Sequence, residues 1–318
     1  MRSGPGGLLS GVVGRYDQGS EPVPETAAPT TGEGNGMFRK ILATLCLACV
    51  AAGAVAVELE LDGQLTQGAL IRGQTAPGNQ VLLNGEPVKV TEQGMFAIGF
   101  GRDAALEHEL EIVPEDGQPL TRKLKLSPRD YEIQRVEGVP QRTVTPDESS
   151  LARIREEAAQ VRQARATDSA RTDFTGDFIW PVGGRISGVY GSQRFYNGEP
   201  RTPHYGIDVA RPAGTPVVAP AGGVVTLAHP DMFYSGGTLL IDHGFGVSST
   251  FLHLSEILVE EGQEVRQGEK VARVGATGRA TGPHLDWRIN WYGERLDPVT
   301  VAPPIVDGHA PGPNAEQE

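Results

Sequence analysis

Between Pro283 and Ile289 the chain reads Pro-His-Leu-Asp-Trp-Arg-Ile, so that Leu285, Trp287 and Ile289 alternate with His284, Asp286 and Arg288. A period of two belongs to extended chain with one buried face. Such a strand has to sink its apolar side chains into a core, and it then holds a histidine, a carboxylate and a guanidinium together on the other face. Further β-rich runs, Val217-Val218, Val224-Val225-Thr226-Leu227, Thr238-Leu239-Leu240-Ile241 and Lys270-Val271-Ala272-Arg273-Val274, lie between Gly and Pro turns. The C-terminal part of the chain is therefore expected to be mainly antiparallel sheet, with a groove across it for an extended peptide.

Five side chains able to hold and use a metal fall in three short segments there: His204 and Asp208, then His253, then His284 and Asp286. Imidazole and carboxylate are zinc donors, and a catalytic zinc keeps three protein ligands and a water. The set reads as a zinc hydrolase site, with the remaining histidines available to move protons. The interval of four from His204 to Asp208 fits a helix face, but Pro203, Gly206, Ile207 and Val209 favour extended chain, with Asp208 starting a strand. His243, beside Asp242 and Gly244 at an expected strand end, reads as a hydrogen-bonded turn residue outside the site. His108, His229 and His309 have no supporting pattern.

The segment from 178 to 302 resembles the lysostaphin/LytM-type zinc metallopeptidases, which cut peptide bonds in bacterial peptidoglycan. The resemblance rests on Trp180-Pro181, on Ser187-Gly188-Val189-Tyr190-Gly191-Ser192-Gln193-Arg194, on the His204 to Asp208 block, on Gly214-Thr215-Pro216-Val217 with Ala219-Pro220, on Asp242-His243-Gly244, on His253-Leu254-Ser255, and on Gly262, Gly268 and Gly275-Ala276-Thr277-Gly278 in the same order. It implies that His204 and Asp208 are zinc ligands and that His253 and His284 are the two catalytic histidines that do not bind the metal. The pattern of that family is His-x-His, and this chain has Asp286 where the second histidine would be the third ligand. Aspartate is an ordinary zinc ligand, but a second carboxylate cancels metal charge and makes the bound water less acidic.

The resemblance implies an exported zinc endopeptidase that hydrolyses peptide cross-links of peptidoglycan, with stem peptides as substrate. The altered third ligand keeps a second reading open: a weak or inactive relative that binds cell wall or activates a separate amidase, with other cell-wall enzymes as partners. A third class, a lipoyl- or biotinyl-like carrier, is suggested by the hairpin-like Glu261–Val265 and Gly268–Val271, but no lysine stands at a suitable exposed turn tip.

The rest of the chain indicates where this happens. Met37-Phe38-Arg39-Lys40, the apolar stretch Ile41–Val50 and Ala54-Val55-Ala56 form the three parts of a secretory signal peptide over 37–56, which places the protein in the periplasm or cell envelope. Cys46 and Cys49 both lie inside it. Residues 1–36, rich in Gly, Pro, Thr and Glu, read as a disordered extension or as a start assigned too early. From 57 to 130, short alternating runs separated by Pro77-Gly78, Asn84-Gly85, Gln93-Gly94 and Asp116-Gly117 argue for an immunoglobulin-like β-sandwich, either a wall-binding module or a spacer. A linker over 131–177 contains the capping box Thr145-Pro146-Asp147-Glu148 and an amphipathic pattern of Leu151, Ile154, Ala158 and Val161, which predicts one helix able to dock over the cleft. Residues 303–318 read as a disordered tail. The 318 residues, 38% hydrophobic, suffice for two modest cores, and a net charge of −12 with no basic stripe argues against a nucleic-acid partner. Pattern alone leaves the oligomeric state open.

Overall fold

A computed structural model of the chain describes residues 58–136 and 148–313. The expected signal peptide, the segment before it, most of the capping box and the last five residues lie outside them. The described chain is mainly β, as the alternating runs require, with one α-helix, Glu148–Arg165. Among the described residues no helix is long and apolar enough to cross a membrane.

Residues 59–125 form two antiparallel sheets, one of Leu59–Asp62, Leu70–Thr75 and Met95–Gly99, the other of Glu86–Val88, Gln80–Leu83, Glu107–Val113 and Leu120–Lys125. Each strand gives alternate side chains to a shared core built on Ile71, Phe96, Ile98, Leu110 and Ile112. The last of these strands, Leu-Thr-Arg-Lys-Leu-Lys, is too polar to stand out by pattern and is found through its pairing with Glu107–Val113.

The C-terminal domain is a nine-stranded antiparallel sheet. Its central order is Gly223–Met232, Gly236–Gly244, Val247–Leu254, His284–Trp291, Ile207–Ala210 and Gly184–Gly188. One face buries Ile207, Val209, Leu239, Ile241, Phe251, Leu285, Trp287 and Ile289 in a single core. Trp287 is fully buried and meets Trp180 edge to face at 5.5 Å. Its indole N–H donates to Ser249 Oγ at 3.4 Å. The opposite face carries Asp208, Leu240, Thr250, Leu252, Asp286, Arg288 and Asn290, which sit in cross-strand register.

The linker contains more order than pattern suggests. Ile133–Val136 pairs in parallel with Gln193–Tyr196. The helix Glu148–Arg165 lies on the face that bears Leu240, where Val161 and Ala164 cover Leu227, Met232 and Leu240. Ala158, expected on the apolar stripe, is exposed, and Glu157 is buried instead. Its carboxylate accepts from the Phe233 N–H at 2.8 Å and from Arg153 at 2.6 Å. The expected disordered tail is also corrected for residues 303–310. Pro303 O accepts from the Trp180 indole at 2.8 Å, and His309–Ala310 adds an edge strand to Gly184–Gly188. Its Pro- and Gly-rich composition conceals an edge strand of only two residues.

His243 is a strand residue in the core, not a turn residue, and it is fully buried. Its Nδ1–H donates to Gly222 O at 2.6 Å and its Nε2 accepts from Ser249 Oγ at 2.8 Å, a network that is complete for the neutral ring. Burial pushes its pKa down to about 4. Because the unfolded chain binds this proton near pH 6.5, the stabilisation is whole above that pH and is lost as pH falls toward 4. The linked change is about 3 kcal/mol. Urea unfolding between pH 7 and pH 4 should show this loss, and His243→Gln should flatten that part of the profile while lowering stability at pH 7.

Candidate functional site

The five residues picked out by pattern converge at one end of the open sheet face. Ile207 and Val209 are buried, so Asp208 between them projects to the other face, and the register sets it directly opposite Asp286 on the neighbouring strand. Facing positions on antiparallel strands hold their Cβ atoms roughly 4.5–5.5 Å apart, and like charges there repel. Two carboxylates in that relation, one of them 2% exposed, need cationic partners. Glycines make the room. A Cβ at Gly188 would overlap the Asp208 carboxylate, and one at Gly206 would overlap that of Asp286.

His204 comes from the loop before Asp208, which is pinned by two backbone bonds, His204 N–H to Ser192 O and Gly191 N–H to His204 O, both 2.8 Å. The ligand atoms of His204, Asp208 and Asp286 all lie within 4.8 Å of one another. His204 Nε2 and Asp208 Oδ1 stand 3.2 Å apart, yet both are buried and neither has a hydrogen-bond partner of acceptable geometry. Zinc at about 2.0–2.1 Å from each donor brings tetrahedral ligands roughly 3.3 Å apart, so the spacing and the orphaned lone pairs fit that ion. Burial would lower the His204 pKa, but the Asp208 and Asp286 carboxylates outweigh it and raise the value.

His253 reaches the site by a backbone irregularity. Regular alternation along Val247–Leu254 would put it on the core face with Val247, Ser249 and Phe251. The register with Gly236–Gly244 slips by one residue between Phe251 and Leu254, and His253 takes φ 64°. This β-bulge turns the imidazole to the open face and returns Leu254 to the core. The His253 ring lies 4.9 Å from that of His284. His284 Nε2 is 3.8 Å from Asp208 Oδ1. Each histidine donates Nδ1–H to a backbone carbonyl at 2.8 Å, His253 to Thr277 O and His284 to Gly282 O. Both rings are thus held in the tautomer that keeps a lone pair on Nε2. Burial pushes the His253 pKa down, so it stays neutral and able to accept a proton near pH 7.

Arg288 is the site residue that the pattern placed on this face without giving it a role. Its Nε donates to Asp286 Oδ1 at 2.9 Å and its Nη2 to Oδ2 at 2.6 Å. Burial alone would raise the Asp286 pKa, but this guanidinium, aided by His204 and His253, holds the carboxyl below the usual range. Each carboxylate oxygen has two lone-pair sites, so the fork leaves one on each for a metal. The cation also settles the charge question. Neutral His204, Asp208, Asp286 and Arg288 sum to −1, the same as a His/Asp/His set, so the second carboxylate does not leave the site more anionic.

Residues 202–298 match Peptidase family M23. Over 125 residues the chain is 38% identical to the peptidoglycan DD-endopeptidase ShyA of Vibrio cholerae, covering 38% of this chain and 28% of that protein. Over 104 residues it is 46% identical to the DD-carboxypeptidase/endopeptidase Mpg of Neisseria meningitidis serogroup B, covering 33% and 24%. The chain thus spans about a quarter of the length of these curated relatives. A crystal structure of a putative M23 peptidase from Pseudomonas aeruginosa matches with a TM-score of 0.56 and 29% identity, over 75% of this chain and 95% of that one. That likeness extends the shared fold beyond the matched domain.

The geometry separates a structural carboxylate from a metal-directed histidine. With metal removed by chelator, Asp286→Asn should lose about 3 kcal/mol in urea unfolding, because it strands a mostly buried guanidinium. His204→Ala removes an unpartnered nitrogen and should stay within about 1 kcal/mol of the parent. Equal losses would mean that His204 is structural.

Proposed function

Residues 202–298 are a Peptidase family M23 domain, and we propose that the chain is an exported zinc endopeptidase that cleaves peptide cross-links of bacterial peptidoglycan. The observation that carries this reading is the convergence, on one sheet face, of three metal donors with two histidines whose free Nε2 lone pairs adjoin them. The likeness to two peptidoglycan peptidases supports the substrate class.

His204, Asp208 and Asp286 would hold the zinc, which when bound polarises a scissile carbonyl and lowers the pKa of a water. The remaining work falls to side chains of this chain. His253, kept neutral by burial, accepts a proton at Nε2. His284, beside Asp208, likewise takes up a proton of the attacking water at Nε2 and passes it to the leaving amine, its protonated ring steadying developing negative charge. Arg288 fixes the Asp286 carboxylate in one orientation, which a single unsupported aspartate on a strand would not keep. The strands bordering the open face would align an extended peptide across these groups.

One observation favours the non-hydrolytic reading. Both Asp286 oxygens are already engaged by Arg288, so the third donor is weaker than a free carboxylate. The two readings part on zinc content and turnover of the purified full chain with cross-linked peptidoglycan. The parent protein should bind about one zinc and release peptide cross-links. His204→Ala should lose the metal, and His284→Ala should keep it while turnover falls by about two to four orders of magnitude. Zinc-free parent protein that still binds wall would favour the non-hydrolytic reading, and an active His284→Ala enzyme would overturn the assigned role.

A further inference from the structure

Next to the metal donors, on the same sheet face, lies a cavity of about 120 Å³. It is lined in part by Arg288, Arg295, Asn290 and Thr250 from the sheet and by Arg165 at the end of the helix Glu148–Arg165. The register fixes its place: Leu252, which also lines it, pairs with Asp286, Thr250 with Arg288 and Arg295 with Asn290, so the cavity borders the third donor and its guanidiniums begin one residue pair beyond it. That is about 7 Å along a strand.

Its charge is unbalanced. Three guanidiniums border it, and the only carboxylate paired with any of them among the described residues is Asp286, held by Arg288. Arg165 Nε is buried with no acceptor. Arg295 bonds one backbone carbonyl, Gly293 O at 3.2 Å, and burial pushes its pKa down to about 10. Leaving buried donors unpaired costs stability, and a native chain tolerates this mainly where a ligand completes the set. Guanidinium forks are matched to carboxylates, and the hydroxyl and amide groups of Thr250 and Asn290 add neutral hydrogen-bonding capacity. The volume equals that of about four waters, enough for a carboxylate and the carbon or two that carry it.

We propose that this cavity is a subsite for a substrate carboxylate lying one or two residues from the scissile peptide bond. The inference rests on the peptide substrate proposed above and narrows it: stem peptides with a free carboxylate near the cut are preferred over those in which it is amidated. Either the terminal carboxylate or a side-chain carboxylate has the required chemistry.

Calorimetry on the full zinc-loaded chain tests the subsite without turnover. The probes are acetyl-D-Glu-D-Ala, its terminal amide, its side-chain amide and the doubly amidated form. Loss of one carboxylate should weaken binding about 10-fold or more, and which loss does so identifies the source. Arg165→Gln and Arg295→Gln should each reduce affinity for the free acid by a similar factor and leave the doubly amidated form unchanged. Equal binding of all four probes by the parent protein overturns the subsite, even if either variant fails to fold. Variants that weaken acid and amide alike overturn it too. A chain that prefers the acid but cleaves no wall peptide keeps the subsite and loses the proposed reaction; one that cleaves wall peptides without this preference does the reverse.

Discussion

The strand His284–Trp291 is the constraint from which the rest of the site follows. Its inward residues Leu285, Trp287 and Ile289 are all fully buried, so neither the register nor the facing of the strand can slip by one residue without exposing a tryptophan and two branched aliphatics. At roughly 1.5–3 kcal/mol for each buried aliphatic side chain, and more for the tryptophan, that penalty exceeds any gain from relaxing the polar face. The core therefore compels what electrostatics resists, two carboxylates placed opposite each other on adjacent strands. Arg288 is the local answer to that conflict. A bound divalent cation would complete it, which is why this juxtaposition of carboxylates is informative.

Much of this was legible from residue order. The period of two in Pro283–Ile289 sets the facing of His284, Asp286 and Arg288, and Ile207 and Val209 do the same for Asp208, although the strand begins at Ile207, one residue before the carboxylate. His253 was legible only as part of a wider motif, since simple alternation puts it in the core. The bulge that redirects it depends on pairing with a partner strand, and no local composition announces it. The role of Arg288 was hidden for a related reason. Period fixes which face a side chain takes, whereas the Arg288 to Asp286 fork depends on the rotamers of both. His243 shows the reverse case, where the flanking Asp and Gly suggested a turn and the sheet core claimed the residue. The edge strands at Ile133–Val136 and His309–Ala310 are four and two residues long, and strands that short are specified by the neighbour they join.

The helix Glu148–Arg165 and the 59–125 sheets both pack against the C-terminal sheet. The helix covers Leu227 and Leu240 on the open face, so it packs on the sheet rather than standing off as a tether, and its last residue reaches the arginine-lined cavity. The 59–125 sheets make their contact at the other end. Leu70 and Ala97, 2% and 1% exposed, belong to the same apolar cluster as Trp287 and Leu296. Gly99 packs against Trp291 so closely that a Cβ would overlap it.

This joint core bears on what the N-terminal module does. The Asp297 N–H donates to Gly68 O at 2.7 Å, and the Asp297 carboxylate, whose pKa burial raises, is paired with Arg129 at 2.8 Å. Tyr190 donates to the carbonyl of Arg295 at 2.7 Å while its ring lies within 5.7 Å of the Arg129 guanidinium. The hairpin that carries Arg295 is thus fixed from behind by residues of the N-terminal module and of the segment that follows it. A flexible spacer would make no such demands, because its removal would leave the C-terminal sheet unchanged. Here removal would expose Leu70's counterpart surface and strand Asp297 without its cation. The module packs directly against the strand pair that carries Trp291 and Leu296.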